Sequence, residues 1–345
     1  MKKNPDSLQI FWIDIFSKLS EEILKDSESK RNVFAQARLH NPWYEPKEIN
    51  RMIQAIAHDY LDPIKLQSWI SKYQFQQILT KKVGLITAAN IPLVGFHDLL
   101  CILISGHEAM VKCSERDKVL YLWIHSLIEA ISPEAAKSIH FVERLTDYNA
   151  VIATGSDQSA SLFKQYFSKV PHLIRSHRNS VAWLNAHESN DELLLLGEDV
   201  FSYFGLGCRN VSKIWVPHNY QFDTLLGLWD KNYQYLRDSN RYHNNYDYRL
   251  AICLLNPIKF LQAESILLIQ NNEINSAIAT LHFEYYNSTK EIYENILTNN
   301  EKIQCCIGSE NIQDLICESF GTSQKPALSS YADQMDTIQF LLLEN

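Results

Sequence analysis

The segment YFGLGCRNVSK (203–213) concentrates chemistry around one thiol. Gly205 and Gly207 stand just before Cys208 in a chain with only 10 glycines, and Arg209 follows. Glycines let a ligand approach the backbone closely, and a neighbouring guanidinium favours the thiolate, the nucleophilic form of cysteine. Cys208 is therefore a candidate nucleophile; the alternative is a thiol that packs as a small apolar side chain before a strand.

Three other positions carry groups suited to binding a substrate or cofactor. Asn90, in the loop AANIP, has an amide able to donate to a developing oxyanion, or it is a turn asparagine before proline. Lys112 can reach a ribose or phosphate, or it is a solvated lysine. Gly155 and Ser156 open a helix whose free N–H groups suit an anion, or they form only a helix cap.

Several common site types are absent from the sequence. The 12 histidines form no H-E-x-x-H pair and the seven cysteines no C-x-x-C pair, so no metal site is expected. No G-x-S-x-G elbow occurs, and neither G-x-G-x-x-G nor the P-loop pattern is present. The cysteines other than Cys208 are interpreted as packing residues, namely Cys101, Cys113, Cys253, Cys305, Cys306 and Cys317.

The candidate residues follow predicted strands. Apolar residues at three- and four-residue spacing predict a helical N-terminus over Ser7 to Lys25 and Pro46 to Tyr73. Three apolar runs, VGLITA, AMVKC and NAVIATG, predict strands, each followed by a helix. Ser114 with Asp117 predicts a capping box for the second of these helices, and Ser156 a cap for the third.

Strands that are apolar on both faces and alternate with helices indicate an α/β fold with a mostly parallel sheet. Such sheets bind ligands at the carboxyl ends of their strands. The runs SVAWL, KIWVP, SILLIQ, IATLHFEYY and KIQCCIG predict a second α/β domain. Residues 218–249 are interpreted as a helix plus a long surface connection, and the polar stretch 175–179 as an inter-domain hinge.

The predicted domains are 1–178, a helical N-terminus with a dinucleotide-binding domain, and 179–325, a catalytic domain. Residues 326–345 are predicted to be a C-terminal segment that returns to the first domain. TIQFLLL, within this last segment, is an apolar element of unspecified type.

Composition limits the function further. The 345 residues carry a formal charge of -8, which gives no electrostatic footprint for nucleic acid. No apolar run reaches the length of a membrane span. The odd number of scattered cysteines favours a reducing compartment, and the polar N-terminus argues against a signal peptide. A cytoplasmic protein is expected.

Taken in order, these segments resemble the aldehyde dehydrogenase superfamily, and within it the acyl-CoA reductases typified by the fatty acid reductase of bacterial bioluminescence. The resemblance extends from about Val83 to the C-terminus and is densest in NIPLVGFHDLL, TGSDQSASLF, RSHRNSV and GEDVFSYFGLGCRNVSK. It implies a Rossmann-like cofactor domain and a second α/β catalytic domain.

The resemblance also implies roles for individual residues. Gly205 to Cys208 is similar to the superfamily's G-x-x-C nucleophile motif, and Asn90 matches its oxyanion-hole amide. Lys112-Cys113-Ser114-Glu115 is similar to K-P-S-E, which implies cofactor contacts for Lys112 and Glu115. Gly155 and Ser156 match the glycine-serine pair at a helix start. Glu273, in EINSAIATL, is similar to the glutamate of E-x-F-G-P-V that holds the nicotinamide ribose, but Asn275 and Ser276 replace the phenylalanine and glycine.

One departure bears on the reaction. Where the hydrolytic dehydrogenases have a glutamate in E-L-G-G that activates water, this chain reads HLIRSHRNSV, without a carboxylate. An acyl-enzyme without a base for water waits for another acceptor. The expected function is therefore reduction of an acyl-CoA, or of another acyl thioester, to an aldehyde with NADPH, with NADH also open.

Two alternatives stay open: an oxidising aldehyde dehydrogenase, and a non-catalytic acyl-CoA or nucleotide-binding scaffold protein. The expected partners are the acyl thioester and either a second copy of the chain or an enzyme that supplies the acyl group. The superfamily's usual oligomerisation hairpin has little room before VGLITA.

Overall fold

Alternating strands and helices build two separate sheets, one in each of two units of the chain. The computed structural model describes residues 5–75 and 79–343. The first unit comprises Met1–His177 with Pro326–Asn345, and the second comprises Arg178–Lys325.

The first unit begins with helices and continues with alternating strands and helices. The helical part contains α1 (Pro5–Leu24), α2 (Glu28–His40), α3 (Pro46–Ala55), which runs into a π-helical turn (Ile56–Tyr60), and α4 (Pro63–Ile70). The alternating part contains β1 (Lys82–Ile86), α5 (Phe96–Ile104), β2 (Glu108–Lys112), α6 (Lys118–Ile131), α7 (Pro133–Ala136), β3 (Ile139–Phe141), β4 (Ala150–Thr154), α8 (Asp157–Tyr166) and β5 (His172–Arg175).

The first sheet has the strand order β3-β2-β1-β4-β5, and every pairing in it is parallel. Ile86 pairs with Lys112 on one side and with Ala153 on the other. The carboxyl ends of β2, β1 and β4 therefore lie at one edge, as the predicted α/β fold requires.

Helix α1 packs on this unit because its apolar residues share one face. Trp12, Phe16, Leu19 and Ile23 recur at spacings of four and three residues and are buried, whereas Ile10 is exposed. Burying each such side chain stabilises the fold by about 2 kcal/mol. The predicted N-terminal helix is confirmed.

The second unit contains a six-stranded sheet. Its elements are β6 (Asn179–Trp183), α9 (Asn190–Phe201), β7 (Val211–Pro217), α10 (Phe222–Asn232), α11 (Tyr235–Asp238), α12 (Asn240–Leu255), β8 (Phe260–Gln262), β9 (Leu267–Gln270), β10 (Thr280–Tyr286), α13 (Thr289–Thr298) and β11 (Ile303–Ile307). The order is β11-β6-β7-β10-β9-β8, parallel except for the antiparallel edge strand β8. The predicted α/β class is confirmed.

After the second unit the chain adds helix α14 (Thr337–Leu343), which packs on α5 in the first unit. TIQFLLL is therefore helical. The buried Arg175 guanidinium donates to the Asp98 carboxylate and, at 2.7 Å, to the Thr337 hydroxyl. The stretch 175–179 thus begins with a buried ion pair, and the boundary between the two units falls within it, between His177 and Arg178.

Two local predictions are wrong. Residues 218–249 contain α10, α11 and most of α12 instead of a long surface connection, because Tyr242 and Tyr246, four residues apart, bury one face of α12. The Ser114–Asp117 capping box does not form: α6 begins after Asp117, whose carboxylate accepts from the Leu93 N–H instead. The Ser156 cap of α8 is confirmed.

Candidate active site

Cys208 follows a backbone turn of unusual conformation between α9 and β7. Tyr203, Phe204 and Gly205 have φ angles of 52°, 58° and 77°, three consecutive residues in the left-handed region. Each residue with a side chain costs about 1 kcal/mol or more in this conformation. The Tyr203 and Phe204 side chains are buried, so packing holds the strained turn in place.

The side chain of Asn210 ties this turn together. Its Oδ1 accepts from the Gly207 N–H at 2.8 Å. Its Nδ2 donates to three carbonyl oxygens at the end of α9, those of Asp199 (3.0 Å), Val200 (3.3 Å) and Ser202 (2.9 Å). Asn210 is 1% exposed, so losing these partners would leave buried polar groups unpaired. The backbone on both sides of Cys208 is therefore fixed by one carboxamide.

Arg209, next to the thiol in sequence, is engaged in an ion pair. Its Nη1 binds the Glu318 carboxylate at 3.0 Å, in a pair whose arginine side chain is 15% exposed. Because this carboxylate offsets the guanidinium charge, Arg209 is a weaker source of thiolate stabilisation than an unpaired cation. On the other side of the loop, the Ser180 hydroxyl donates to the Cys208 carbonyl at 3.2 Å.

A buried carboxylate lies beneath the same turn. Asp199, at the end of α9, accepts from the Gly321 N–H, the Ser323 N–H and the Ser323 hydroxyl. Burial raises the pKa of Asp199 to about 6, although these hydrogen bonds lower it. This group links the turn that precedes Cys208 to the segment around residue 322.

The loop that carries Asn90 is held by side chains from far upstream. Asn41 Nδ2 donates to the Ala89 carbonyl at 3.0 Å, and the Tyr44 hydroxyl donates to the Ile91 carbonyl at 2.9 Å. These two bonds fix the carbonyl groups of the residues before and after Asn90. The helical N-terminus thus positions the predicted oxyanion donor.

Two side chains at the start of α6 hold the next part of this loop. The Asp117 carboxylate accepts from the Leu93 N–H at 2.9 Å, and the Tyr121 hydroxyl accepts from the Gly95 N–H at 3.0 Å. Leu93 has a φ of 50°, so the loop bends there. Burial raises the pKa of Asp117 well above its usual range.

A cleft of about 590 Å³ opens at the carboxyl ends of β1 and β2, beside α8. Lys112 lines it together with Arg144 and the apolar side chains of Leu162, Phe163 and Tyr166. Glu143, also at the cleft, binds Lys118 at 2.8 Å, and Lys118 binds Glu115 at 3.1 Å. Lys112 is the last residue of β2, and Glu115 follows it by three residues. Lys112 therefore borders a cavity of ligand size.

Gly155 and Ser156 form the turn from β4 into α8. A Cβ at residue 155 would lie 2.8 Å from the Ser159 Cβ and 3.2 Å from the Phe163 ring. Only glycine allows this close approach. The Ser156 hydroxyl accepts from the Ser159 N–H at 3.3 Å, as a helix cap does.

Glu273 lies in the loop between β9 and β10 of the second unit, and its side chain is exposed. Three side chains fix the carbonyls of this loop. The Lys213 ammonium donates to Asn272, His282 Nδ1 donates to Glu273, and the Ser212 hydroxyl donates to Ile274, at 2.8, 2.9 and 2.7 Å. Burial lowers the pKa of Lys213, whereas its ion pair with Glu284 at 2.6 Å raises it.

The predicted residues fall into two groups, each within one unit. Five lie at or just after the aligned carboxyl ends of β1, β2 and β4 in the first unit, namely Asn90, Lys112, Glu115, Gly155 and Ser156. Cys208 and Glu273 belong to the second unit, where they flank the neighbouring strands β7 and β10.

Sequence reasoning missed the residues that hold these groups in place. Asn210 stands two residues after the thiol and directly before β7, so its closeness to the nucleophile in sequence was a readable signal. Asn41 and Tyr44 gave no such signal, because they contact the Asn90 loop only after the chain has folded. Arg144 lies after β3, a strand that the sequence did not predict.

Within 5–75 and 79–343, no group of three or more His, Cys, Asp and Glu side chains is placed to hold a metal ion. Over the same ranges, none of the helices combines the length and apolar character needed to span a bilayer.

Comparison with solved structures identifies the fold. The chain is similar to aldehyde dehydrogenase 21 from Physcomitrella patens, with a TM-score of 0.68 and 10% identity, over 97% of this chain and 84% of that one. It is also similar to an oxidoreductase from Marinobacter aquaeolei (TM-score 0.65, 11% identity, 86% and 71% coverage). Indole-3-acetaldehyde dehydrogenase in complex with NAD+ matches with a TM-score of 0.62 at 12% identity, over 83% and 69%.

No protein-family model matches the sequence, and neither does any curated protein. The likeness is therefore one of fold. The protein has the two-domain α/β architecture of the aldehyde dehydrogenases, at sequence identities too low to carry over an activity.

Proposed function

We propose that the protein is an acyl-CoA reductase, which converts a fatty acyl thioester to an aldehyde with NADPH through an acyl-enzyme on Cys208. The observation that carries the proposal is the strained turn just before Cys208, which the Asn210 side chain holds in place. This turn precedes a parallel strand in a fold similar to that of the aldehyde dehydrogenases. Strain of this kind persists where the surrounding structure maintains it, and it is concentrated at functional sites.

In the proposed reaction the Cys208 thiolate attacks the acyl carbonyl, and the coenzyme A thiolate leaves as the thioester to the enzyme forms. The Asn90 amide and the Cys208 N–H donate to the oxyanion that develops on the carbonyl oxygen. The bonds to the Ala89 and Ile91 carbonyls hold the backbone of the loop that carries this amide.

The cleft beside α8 fits the adenosine end of a nicotinamide cofactor. It offers apolar walls from Leu162 and Phe163, and two cations, Lys112 and Arg144, line it. The Glu143 carboxylate at the same cleft is already bound by Lys118. This arrangement favours a 2′-phosphate, and hence NADPH over NADH, because a guanidinium and an ammonium can both bind a phosphate.

The bound cofactor supplies the hydride that resolves the thioester. Glu273 is proposed to bind the nicotinamide ribose from its fixed loop, and Glu115 the adenosine ribose. The connection after β5, where a hydrolytic enzyme needs a base, provides Ser176, His177 and Arg178 instead of a carboxylate. Water activation is therefore disfavoured and reduction is favoured.

The test is an assay of the full chain with a fatty acyl-CoA and NADPH, followed by the absorbance of the reduced cofactor. The expected result is consumption of NADPH with release of aldehyde and free coenzyme A. Cys208→Ala removes this activity, and the matched variant Cys253→Ala, altered at a buried thiol on α12, keeps it. An active Cys208→Ala protein would overturn the role of the thiol.

The oxidising alternative is tested in the same experiment run with an aldehyde and NADP+ or NAD+. Production of free carboxylic acid at a rate above that of acyl-CoA reduction would replace the reductase by a dehydrogenase. Absence of turnover in both directions, with tight binding of acyl-CoA, would favour the non-catalytic scaffold.

A further inference from the structure

Two cysteines outside the proposed catalytic loop lie in direct contact in the second unit. The Sγ atoms of Cys306 and Cys317 are hydrogen-bonded at 3.6 Å. Cys306 is in β11, and Cys317 lies in a segment that pairs with β11 through a parallel bridge between Ile307 and Glu318. The Glu318 N–H donates to the Cys306 carbonyl at 2.8 Å, so the two cysteines are cross-strand neighbours.

This placement suits a disulfide bond. Neighbouring strands run about 4.8 Å apart, and disulfides join Cα atoms that are roughly 4.4 to 6.8 Å apart. Bond formation therefore requires the sulfur atoms to approach by side-chain rotation, with no large displacement of the paired backbone.

The two thiols differ in environment. Cys306 is 4% exposed, and the contact with Cys317 and burial raise its pKa. Cys317 is half-buried, and its hydrogen bonds with Cys306 and Trp183 lower its pKa to about 7, against the effect of burial. Cys317 is thus the more exposed and the more acidic of the two thiols, and Cys306 is its buried partner.

We propose that Cys306 and Cys317 are a redox-active thiol pair that peroxides oxidise to an intrachain disulfide. This site is separate from Cys208 and does not depend on the proposed acyl-CoA reduction. Both side chains pack in one apolar cluster of the second unit, as the sequence predicts, and their sulfur atoms are in addition in hydrogen-bonding contact.

The reaction balances with hydrogen peroxide as the oxidant. The Cys317 thiolate attacks one peroxide oxygen, the O–O bond breaks, and hydroxide leaves and is protonated to water as Cys317 becomes a sulfenic acid. The Cys306 sulfur then attacks the Cys317 sulfur, the S–S bond forms, and the S–O bond breaks. The departing hydroxide takes the Cys306 proton, so two thiols and one peroxide give one disulfide and two waters.

The test is peptide mapping of the full chain after treatment with hydrogen peroxide and blocking of the remaining thiols. A glutamate-specific protease cleaves after Glu301, Glu310 and Glu318, which separates the two cysteines. The expected result is a linked pair of peptides, residues 302–310 and 311–318, that a reductant separates. Two of the seven thiols are lost in parallel.

Three variants make the test specific. Cys306→Ser and Cys317→Ser each abolish the linked pair, whereas Cys305→Ser, altered at the neighbouring thiol, retains it. The Cys208→Ala protein also retains it, which shows that the pair forms without the proposed nucleophile. Failure of the proposed function would leave every one of these results unchanged.

Two results would overturn the proposal. A linked pair that survives Cys306→Ser would assign the partner to Cys305, whose Sγ lies 3.0 Å from the Ser180 hydroxyl. Oxidation of Cys317 to sulfinic acid without linkage in the wild-type protein would show that Cys306 does not resolve the sulfenic acid.

Discussion

The loops that carry Cys208 and Asn90 are fixed in different ways. The Cys208 loop is held by a residue two positions away in sequence, because Asn210 binds both the glycine before the thiol and the end of α9. The Asn90 loop is held by Asn41 and Tyr44, which lie more than forty residues upstream. The turn before the proposed nucleophile is thus fixed largely by a residue close in sequence, although Ser180 also contacts Cys208. The loop of the proposed oxyanion donor is fixed by residues that are distant in sequence.

This difference predicts that the Cys208 loop depends heavily on a single side chain. Asn210→Ala removes four hydrogen bonds and leaves buried carbonyls unpaired, so we expect a loss of about 3 kcal/mol in the free energy of unfolding. The measurement is urea denaturation of the full chain, with the exposed Asn219→Ala as the matched control. If the free energy of unfolding falls by no more than it does in the control, the left-handed turn is stable without the Asn210 side chain.

Each unit contains a buried titratable group that is expected to make the stability depend on pH, and the two groups act in opposite directions. Burial lowers the pKa of His107, in the first unit, to about 4. Its Nδ1 accepts from the Lys81 N–H and its Nε2 faces the Leu341 carbonyl, which requires the neutral ring. Below its ordinary pKa of 6.5 the unfolded chain binds a proton that the folded protein does not, so stability falls by about 2 kcal/mol towards pH 5.

Asp199, in the second unit, is expected to change the stability with pH in the opposite direction. Because its pKa is raised from 3.8 to about 6, the folded protein binds a proton between these values and the unfolded chain does not. Its contribution therefore gains about 2 kcal/mol as the pH falls from above 6 towards 4.

The measurement for both groups is the pH dependence of stability in His107→Gln and Asp199→Asn, each subtracted from that of the wild type. The His107 difference should shrink as the pH falls from 7 to 5. The Asp199 difference should grow in the wild type's favour over the same range. Two differences that both shrink, or that both grow, as the pH falls would contradict the assigned burial of these groups.

Cofactor preference is predicted to reside in the first unit alone. Removing Arg144 from the cleft that Lys112 lines should raise the KM for NADPH about tenfold and leave that for NADH nearly unchanged, because only NADPH has the 2′-phosphate. Steady-state kinetics of Arg144→Ala, with the exposed Arg116→Ala as control, provide the comparison. Equal increases for both cofactors would argue against a phosphate contact.

The smallest effect is expected at Tyr44. Tyr44→Phe removes one hydrogen bond to the Ile91 carbonyl and should cost about 1 kcal/mol of stability. If the bond also positions Asn90, kcat falls and KM for the acyl-CoA stays unchanged, since an oxyanion contact acts only in the transition state. The exposed Tyr248→Phe is the control, and a change confined to KM would contradict the positioning role.

Local features of the sequence predicted the parts of this structure that depend on local physics. The apolar runs before Asn90, Lys112 and Gly155 predicted β1, β2 and β4, because both faces of a central parallel strand must be apolar. The cap at Ser156 needed only its own helix. Because glycines are scarce in this chain, the pair Gly205 and Gly207 indicated an unusual backbone conformation before Cys208.

Other features could not be predicted because they depend on distant partners. Asp117 has the residue type of a capping-box position, but it binds the Leu93 N–H, which approaches it only in the folded sheet. Arg175 stands in a polar stretch of the sequence, and its burial depends on Asp98 and Thr337, which are distant in the chain. The contact between Cys306 and Cys317 depends on the pairing of β11 with a segment that has no strand pattern of its own.

The most direct test of the account is to incubate the full chain with a fatty acyl-CoA in the absence of nicotinamide cofactor and to measure the protein's intact mass. The account predicts a mass increase equal to one acyl group, located on the peptide that contains Cys208, removed by hydroxylamine and absent from Cys208→Ala. Acylation of a different residue, or an unmodified protein that nonetheless turns over when NADPH is added, would contradict it.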